Sequence, residues 1–319
     1  MRASTFTSLP LLSICLLGLA CGDEEATHEH TAEPFALSFS AAANGGTSVG
    51  CSDPLTGLGP TGQHRAGVSD LRFYVSNLKI FDDEGAALEV ELDDNEFQYN
   101  SPDGAVALID LTGNSQGSCA ANAIAFAEGT ARTNQKLTGK TVVDHASKIS
   151  FDVGLPQGLM KKTIGSNTAE NAPSPMNEMY WSWASGYRHF VFNLSVETST
   201  GARGEGYLHV GSRDCGPADG KALEDREACT YVNTPKVEFA TFDLANDEVS
   251  VDLSALLAGL DFRAPIYDPE TFEVLGEGAG LECHSSPTQP DCTVVFGNLG
   301  VDPATGVATA AGNRVFKVK

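Results

Sequence analysis

The chain has 319 residues, with 20 lysines and arginines against 42 aspartates and glutamates, and a formal net charge of −22 at pH 7. This excess of acid argues against nucleic acid or anionic lipid as a partner, because both would be repelled. The acidic residues are spread along the chain, so a solvated surface is the first interpretation of them and calcium binding the second. No segment has the ligand spacing of an EF-hand loop.

The N-terminus has the pattern of a secretory signal. Arg2 precedes an apolar stretch, Leu9 to Leu19, that is too short for a stable membrane span. The small residues before Cys21 resemble a bacterial lipobox, in which this cysteine becomes the lipidated first residue. We therefore predict a lipoprotein signal peptide over residues 1–20 and a protein exported to the outer membrane, on its periplasmic or outer face. An ordinary or uncleaved leader is the alternative.

The region behind the signal is a short tether followed by one domain. Residues 21–33 are polar and lack a hydrophobic period, so they are predicted to be a flexible linker. No later segment resembles a linker, and nearly 300 residues can bury a substantial core. We therefore predict a single domain over residues 34–319.

The segments of this domain are short, rich in β-branched and aromatic residues, and punctuated by Gly, Pro, Asn and Asp, which predicts an all-β fold. Leu71–Phe81 is predicted to be a strand that runs into the turn Asp82–Gly85, with Leu88–Leu92 as its hairpin partner. The other predicted strands are Phe35–Phe39, Ala105–Leu111, Lys148–Val153, Phe190–Val196, Gly206–Val210, Val237–Phe242, Glu248–Val251, Thr293–Phe296 and Val315–Val318.

Alternation within one strand predicts which side faces the core. In Phe190–Val196 the even positions are apolar, so they are predicted to point inward and to leave His189 and Asn193 outward. The best helix prediction is the short segment Leu253–Leu260, which Asp252 opens. We therefore predict an antiparallel β-sandwich with long loops and little helix.

Six cysteines remain after the two in the signal region are set aside. An even number in an exported chain favours disulfides, although six cysteines allow about 15 pairings. The shortest loops predict Cys283–Cys292 and Cys215–Cys229, which leaves Cys51–Cys119. Zinc binding is the rival interpretation, but no C-x-x-C pair is present.

Enzyme motifs give one formal match. Gly46–Gly50 fits G-x-S-x-G, but no helix pattern follows it to form a nucleophile elbow, so we interpret it as a loop. Phosphate-binding loops, H-E-x-x-H and dinucleotide fingerprints are missing. The protein is predicted not to be an enzyme, and a hydrolase that uses Ser48 is a distant alternative.

The only two tryptophans, Trp181 and Trp183, stand two residues apart in the segment Ser174–Tyr187. In an extended segment both indoles project from one face, which by itself is also typical of aromatic core packing. Further segments, in their order and spacing, resemble the MbnP-like family of exported four-Cys motif proteins of the metallo-mystery pair system. They are Asp70–Ser76, Ala107–Asp110, Gly129–Asn134, Phe151–Pro156, Leu208–Ser212, Cys283–Cys292 and Val315–Phe316.

The resemblance implies copper chemistry. Family members look like partners of a di-haem, MauG-like peroxidase, and the related secreted proteins MopE and CorA bind copper through histidines and an oxidised tryptophan, kynurenine. Trp181 or Trp183 is then the expected oxidation target. The aminophenyl ketone gives copper a nitrogen donor that tryptophan lacks. The acidic surface suits a partner with a basic patch.

Two positions depart from the family pattern. After Gly154–Pro156 the family typically has an Asn-His pair, whereas this chain has Met160 and Lys161, and the residue after Cys283 is commonly Met but is His284 here. We interpret this as an exchange of a histidine and a methionine between two loops that converge on the site; loss of the site is the alternative. The predicted copper donors are His209, His284 and Met160, beside Trp181 and Trp183.

Two functions compete at this point. The first is a copper-binding lipoprotein matured by a di-haem peroxidase. The second is a β-rich surface lipoprotein with a structural or adhesive role and no metal.

Overall fold

The computed structural model describes residues 31–49, 53–112, 133–168, 170–182, 186–216 and 229–319. Residues 31–319 group into one compact unit. Several sequence predictions lie outside the described residues: the signal peptide, the lipidation site Cys21, most of the tether, the Cys51–Cys119 pairing and Trp183.

Six described strands form the first sheet. They are β1 (Glu33–Ala43), β2 (Thr47–Ser48), β6 (Glu91–Leu92), β9 (Lys136–Thr141), β15 (Glu248–Asp252) and β20 (Phe316–Val318). Their order is β20-β15-β1-β9-β6, with β2 beside β1. The pairing of β1 with β15 is parallel, and the other described pairings of this sheet are antiparallel.

The second sheet is larger. Its described strands are β3 (Leu55–Leu58), β4 (His64–Phe81), β5 (Ala87–Leu88), β7 (Gln98–Ser101), β8 (Gly104–Asp110), β10 (Lys148–Val153), β11 (Tyr180–Ser182), β12 (Gly186–Glu197), β13 (Arg203–Gly211), β14 (Lys236–Phe239), β16 (Arg263–Tyr267) and β17 (Val274–His284). The main order is β14-β10-β4-β12-β13-β17-β16, in which only β13 and β17 pair in parallel. A separate small hairpin joins β18 (Leu299–Val301) to β19 (Ala308–Asn313).

An aromatic layer holds the two sheets face to face. Phe39 of β1 lies 5.7 Å from Phe73 of β4 and 6.0 Å from Phe151 of β10, between ring centroids. Phe316 of β20 packs edge-on against the same two rings of the second sheet. Such edge-to-face pairs add to the free energy gained by burying the rings. The packing confirms the predicted antiparallel β-sandwich.

The central strands β4 and β12 of the second sheet are buried on both faces over most of their length, which corrects one prediction. Phe190 and Phe192 point into the sandwich core as predicted. His189 and Asn193, however, are only 0% and 3% exposed. Their face of the sheet is covered by a second apolar cluster to which α1 (Gln157–Ser166) and the segment before β11 contribute. Residues on the side opposite the core are therefore not solvent-facing here.

The prediction of a strand at Thr293–Phe296 is wrong. These residues lie within α3 (Pro290–Asn298), which begins with a proline, a residue that suits the first helical position. Cys292, Val295 and Phe296 are buried at helical spacing, three and four residues apart. Burial of this helical face overrides the β-propensity of the Thr-Val-Val run.

The other helices differ from expectation in length and number. α2 covers only Leu253–Leu256, and the backbone N–H of Ala255 donates to Asp252 Oδ1 at 3.0 Å, so the predicted N-cap is present. The ten-residue α1 was not predicted, because its Gly-Leu-Met-Lys-Lys-Thr-Ile-Gly sequence contains two glycines.

The predicted hairpin after β4 is present only in part. β5 pairs with the end of β4. β6, the second half of the predicted return strand, instead pairs with β9 in the first sheet. The chain therefore crosses from one sheet to the other between Leu88 and Glu91.

The structure contains two of the disulfides that short loops predicted, Cys215–Cys229 and Cys283–Cys292. The second joins the end of β17 to α3, and both of its cysteines are fully buried. In the described part of the chain, no helix combines the length and the apolar character needed to cross a membrane.

Replacing both Cys283 and Cys292 by alanine should lower the free energy of unfolding by about 2–4 kcal/mol, because the bridge closes a short loop in the unfolded chain. Urea unfolding followed by tryptophan fluorescence measures the change. Dithiothreitol should destabilise the wild type further than it destabilises this variant. A variant as stable as the wild type would contradict a bridging role.

Candidate metal centre

Two of the predicted donors face each other across neighbouring strands. The parallel pairing of β13 with β17 aligns His209 with His284. The ring centroids are 5.1 Å apart, and the two Nδ1 atoms are separated by 3.3 Å. Strand register therefore brings together two imidazoles that are 75 residues apart in the sequence.

Hydrogen bonding fixes which nitrogen of His209 carries the proton. Nε2 of His209 lies 2.8 Å from Asn193 Oδ1, and Asn193 Nδ2 lies 3.5 Å from Asp70 Oδ2. Because the carboxylate only accepts, the amide nitrogen faces Asp70 and the amide oxygen faces the imidazole. Nε2 must then be the donor, so the lone pair of His209 is on Nδ1, where it can accept a hydrogen bond from Nδ1 of His284 at 3.3 Å.

A buried ion pair supports this chain of hydrogen bonds. Arg72 Nε and Nη2 donate to the two carboxylate oxygens of Asp70 at 2.8 and 2.6 Å. Arg72 is 2% exposed and Asp70 is 0% exposed. Burial alone would lower the pKa of Arg72, but the charge and hydrogen bonds of Asp70 outweigh it and raise that pKa above its ordinary value. Arg72 therefore stays charged inside the protein.

Both imidazoles are neutral at pH 7. Burial, followed by the charge of Arg188 and the neighbouring His284, lowers the pKa of His209 to about 3. Burial also lowers the pKa of the half-buried His284, with Arg188 acting in the same direction and Glu282 against it. A histidine binds metal through an unprotonated nitrogen, so the pair is ready to act as ligands without first losing protons.

One of the two imidazoles is reached from solvent. His284 lines a cleft of about 800 Å³ whose walls include Tyr207, Glu282 and Gln289. The backbone N–H of His284 donates to Gln289 Oε1 at 2.7 Å. The adjacent disulfide to α3 fixes the strand end that carries His284. His209, which is 8% exposed, lies behind it.

The tryptophan strand is tied to the same region. Trp181 lies in β11 and is partly buried. Arg188 Nη2 donates to the carbonyl oxygen of Tyr180 at 3.2 Å, and the charge of the same guanidinium acts on both imidazoles. Arg72 approaches Glu178 at 3.7 Å. Two arginines therefore connect the segment before and within β11 to β4 and β12, of which β12 lies beside the ligand-bearing strand β13.

Met160 and Lys161 lie in α1, in a different environment from the imidazoles. Met160 is fully buried in the second apolar cluster with Tyr187. A Cβ atom on Gly186 would lie 3.3 Å from its sulfur, and Gly186 pairs with Ser182, the residue between the two tryptophans. Among the described contacts, none joins Met160 to either imidazole. The Met160 thioether therefore lies near the pairing of β11 with β12.

The donor set fits a transition metal but is incomplete. In zinc–imidazole sites each nitrogen lies roughly 2.0–2.1 Å from the ion, so two nitrogens on one ion are about 3–3.4 Å apart. The Nδ1 atoms of His209 and His284 are 3.3 Å apart. Within the residues that the structure describes, no group of three or more His, Cys, Asp or Glu side chains could hold a metal ion. The two imidazoles are thus a pair that needs a further donor of another kind.

Sequence reasoning missed the supporting residues: Asn193, Asp70, Arg72 and Arg188. A signal for two of them exists, because Asp70 and Arg72 alternate with Leu71 and Phe73 in an otherwise apolar strand. This alternation does not show whether the charged side is buried, since one exposed face is the usual arrangement in antiparallel sheets. The covering segment that buries them is distant in sequence.

The fold and the site define a disulfide-bonded β-sandwich with one buried and one half-buried imidazole side by side on the second sheet. A family model described as MbnP matches residues 32–272, which places His209 inside the match and His284 beyond it. The chain belongs to the MbnP family.

A solved structure gives the same result. The chain is similar to MbnP from Methylosinus trichosporium, with 26% sequence identity and a TM-score of 0.67, over 90% of this chain and 98% of that one. No curated protein matches the chain. Family membership supports a metal-related function in a mystery-pair system.

Nuclear magnetic resonance of ¹⁵N-labelled protein at pH 7 should show His209 protonated at Nε2. His189 is the internal control: its Nδ1 lies 3.1 Å from the carbonyl oxygen of Asn233, which only accepts, so it should be protonated at Nδ1. Asn193→Leu should change the signals of His209 and leave those of His189 unchanged. Because it leaves a buried N–H without a partner, it should also lower stability by about 1–3 kcal/mol. An Nδ1-protonated His209 in the wild type would contradict this assignment.

The stability of the protein should depend on pH through His189, because burial lowers its pKa from 6.5 to about 4. Between these values only the unfolded state takes up the proton, so stability falls as the pH falls. His189→Gln removes this effect and should lose about 2 kcal/mol less than the wild type between pH 7 and pH 5. Urea unfolding at both pH values measures the difference; equal losses would refute it.

Proposed function

We propose that this protein is an exported copper-binding lipoprotein in which Trp181 or Trp183 is oxidised to kynurenine by a di-haem, MauG-like peroxidase. The observation that carries the proposal is the pair of facing Nδ1 atoms of His209 and His284, 3.3 Å apart. The protein binds the metal and has no catalytic role of its own. Anchoring through Cys21 to the outer membrane belongs to the same proposal.

The charges around the two imidazoles act in opposite directions. Arg188 lowers the pKa of both imidazoles and would repel a bound cation, whereas Glu282 acts more strongly on His284 and would attract one. The choice of metal therefore rests on the donor atoms. Imidazole nitrogens suit copper, although they also suit zinc. Copper is the metal of this proposal because the family resemblance implies it.

The ligands are the two imidazoles and one donor created by modification. His209 and His284 would hold the ion, and the aminophenyl nitrogen of the oxidised tryptophan would complete the set. Trp181 is suited to this role because Arg188 donates a hydrogen bond to the carbonyl oxygen of Tyr180, the preceding residue of β11. The charge of Arg188 also acts on both imidazoles. Bound copper would supply a redox-active or transferable ion to a partner.

The tryptophan oxidation balances with hydrogen peroxide as oxidant. Two molecules of peroxide are reduced to two of water and deliver two oxygen atoms across the C2–C3 bond of the indole, which gives N-formylkynurenine. Hydrolysis then releases the formyl carbon as formate. The net change is a gain of one oxygen atom and a loss of one carbon atom. The haem partner transfers the electrons, and this chain supplies the tryptophan.

The proposal predicts a neighbouring gene that encodes a di-haem peroxidase, and the test uses protein coproduced with that peroxidase. Peptide mapping by mass spectrometry should locate the change at one tryptophan, and Trp181→Phe and Trp183→Phe should show which one. Dialysed protein should retain stoichiometric copper. His209→Ala and His284→Ala should each weaken copper binding by more than the roughly 10–100-fold typical of residues that only support a ligand.

His145→Ala is the matched control, because the side chain of this histidine is 40% exposed and lies against Asp144. It should bind copper as the wild type does. Unmodified tryptophans together with no retained copper would overturn the proposal and favour a structural or adhesive protein. Retention of zinc in preference to copper would overturn the choice of metal.

A further inference from the structure

The edge hairpin β16–β17 concentrates the exposed apolar surface of the protein. Seven large apolar side chains are exposed among the described residues. Five of them lie in β16, in the turn that follows it, or at the start of β17. These five, which we call the hairpin tip, are Ile266, Tyr267, Phe272, Val274 and Leu275. Phe272 is 76% exposed. A cluster of this kind marks an interaction surface more often than scattered apolar residues do.

The turn that carries the hairpin tip is well ordered by hydrogen bonds. The N–H groups of Glu270 and Thr271 each donate to Asp268 Oδ1 at 2.8 Å, and the N–H of Phe272 donates to the Asp268 carbonyl at 2.9 Å. Phe272 has a φ of 58°, in the left-handed region that a bulky residue rarely adopts. The turn therefore holds an aromatic ring in solvent although both its exposure and its backbone are unfavourable.

The hairpin tip is surrounded by negative charge. Residues 261–284 contain six carboxylates and one arginine. That arginine, Arg263, is already engaged by Asp261 and Glu277. A second copy of the chain or an anionic membrane would bring like charges together at this surface. A protein with lysine or arginine around an apolar recess would be attracted to it.

The edge of the sheet does not favour strand addition. β16 is the last strand in its sheet among the described residues. Pro265 in the middle of this strand lacks an N–H group, and prolines on edge strands are a common device against edge-to-edge pairing. Side-chain contact at the tip is therefore the more suitable mode of recognition.

The hairpin tip is continuous with the candidate metal centre. Tyr267 and His284 line the same cleft. Val274 and His284 are the two ends of β17, roughly 33 Å apart at the rise of an extended strand. A folded partner of about 300 residues is roughly 50 Å across, so a partner centred on the tip extends about 25 Å from it and lies over the end of the cleft that Tyr267 lines.

We propose that the hairpin tip is a docking surface for a protein partner that has an apolar recess rimmed by lysine or arginine. Docking there covers the end of the cleft that Tyr267 lines, the same cleft that His284 lines. The inference rests on the proposed function only in taking the di-haem peroxidase as the partner to be used as probe.

The test titrates purified peroxidase against the full mature protein at several salt concentrations. Phe272→Ser with Leu275→Ser should weaken binding by about tenfold or more, since buried aromatic anchors dominate protein interfaces. Glu270→Lys with Glu273→Lys should also weaken binding and flatten its salt dependence. Val307→Ser is the matched control, because Val307 is 62% exposed but lies outside the hairpin. It should bind within about twofold of the wild type.

Thermal unfolding of each variant shows that the fold is kept, and copper retention and tryptophan oxidation are measured on the same samples. Equal binding by wild type and tip variant, or no binding by either, would overturn the docking surface even where copper is retained. Self-association or vesicle binding that depends on Phe272 and Leu275 would also overturn it, in favour of a second copy or a membrane. Loss of copper and oxidation in the wild type would refute the proposed function alone.

Discussion

The buried ion pair between Asp70 and Arg72 is the interaction on which the second face of the large sheet depends. Two charges removed from water are unfavourable unless each is matched at close range, and here two short hydrogen bonds join them. The pair orients Asn193, and Asn193 orients His209. One ion pair in the centre of the sheet thus sets the direction in which an imidazole lone pair points.

Burial of both faces of one sheet explains the chemistry of the site. The sandwich core covers one face, and α1 with the segment before β11 covers the other. Polar side chains on the second face are therefore far from water, which lowers the pKa of His189 and His209 and keeps both imidazoles neutral. His209 can therefore act as a metal ligand together with the half-buried His284 of the adjacent strand β17, whereas an imidazole on a wet surface would be an ordinary titrating group.

Local patterns were sufficient for much of the fold. The bounds of β10 match the prediction, and β4, β8, β12 and β13 contain or overlap the predicted strands, because alternation and strand length are properties of short segments. The two short-loop disulfides follow from sequence spacing in the same way. Prediction was wrong at α3, where propensity favoured a strand, since burial of Cys292, Val295 and Phe296 on one helical face depends on distant partners.

The sequence by itself determined that this is a β-rich chain, that His209, His284 and the tryptophan pair are the residues to examine, and which family it resembles. Only the tertiary structure decided that the two histidines meet, because a parallel pairing of β13 with β17 has no signature in either segment. It also placed Met160 with the tryptophan strand and showed that Asp70, Arg72 and Asn193 are buried. Which face of a strand is dry depends on what covers it, and that covering segment is remote in the chain.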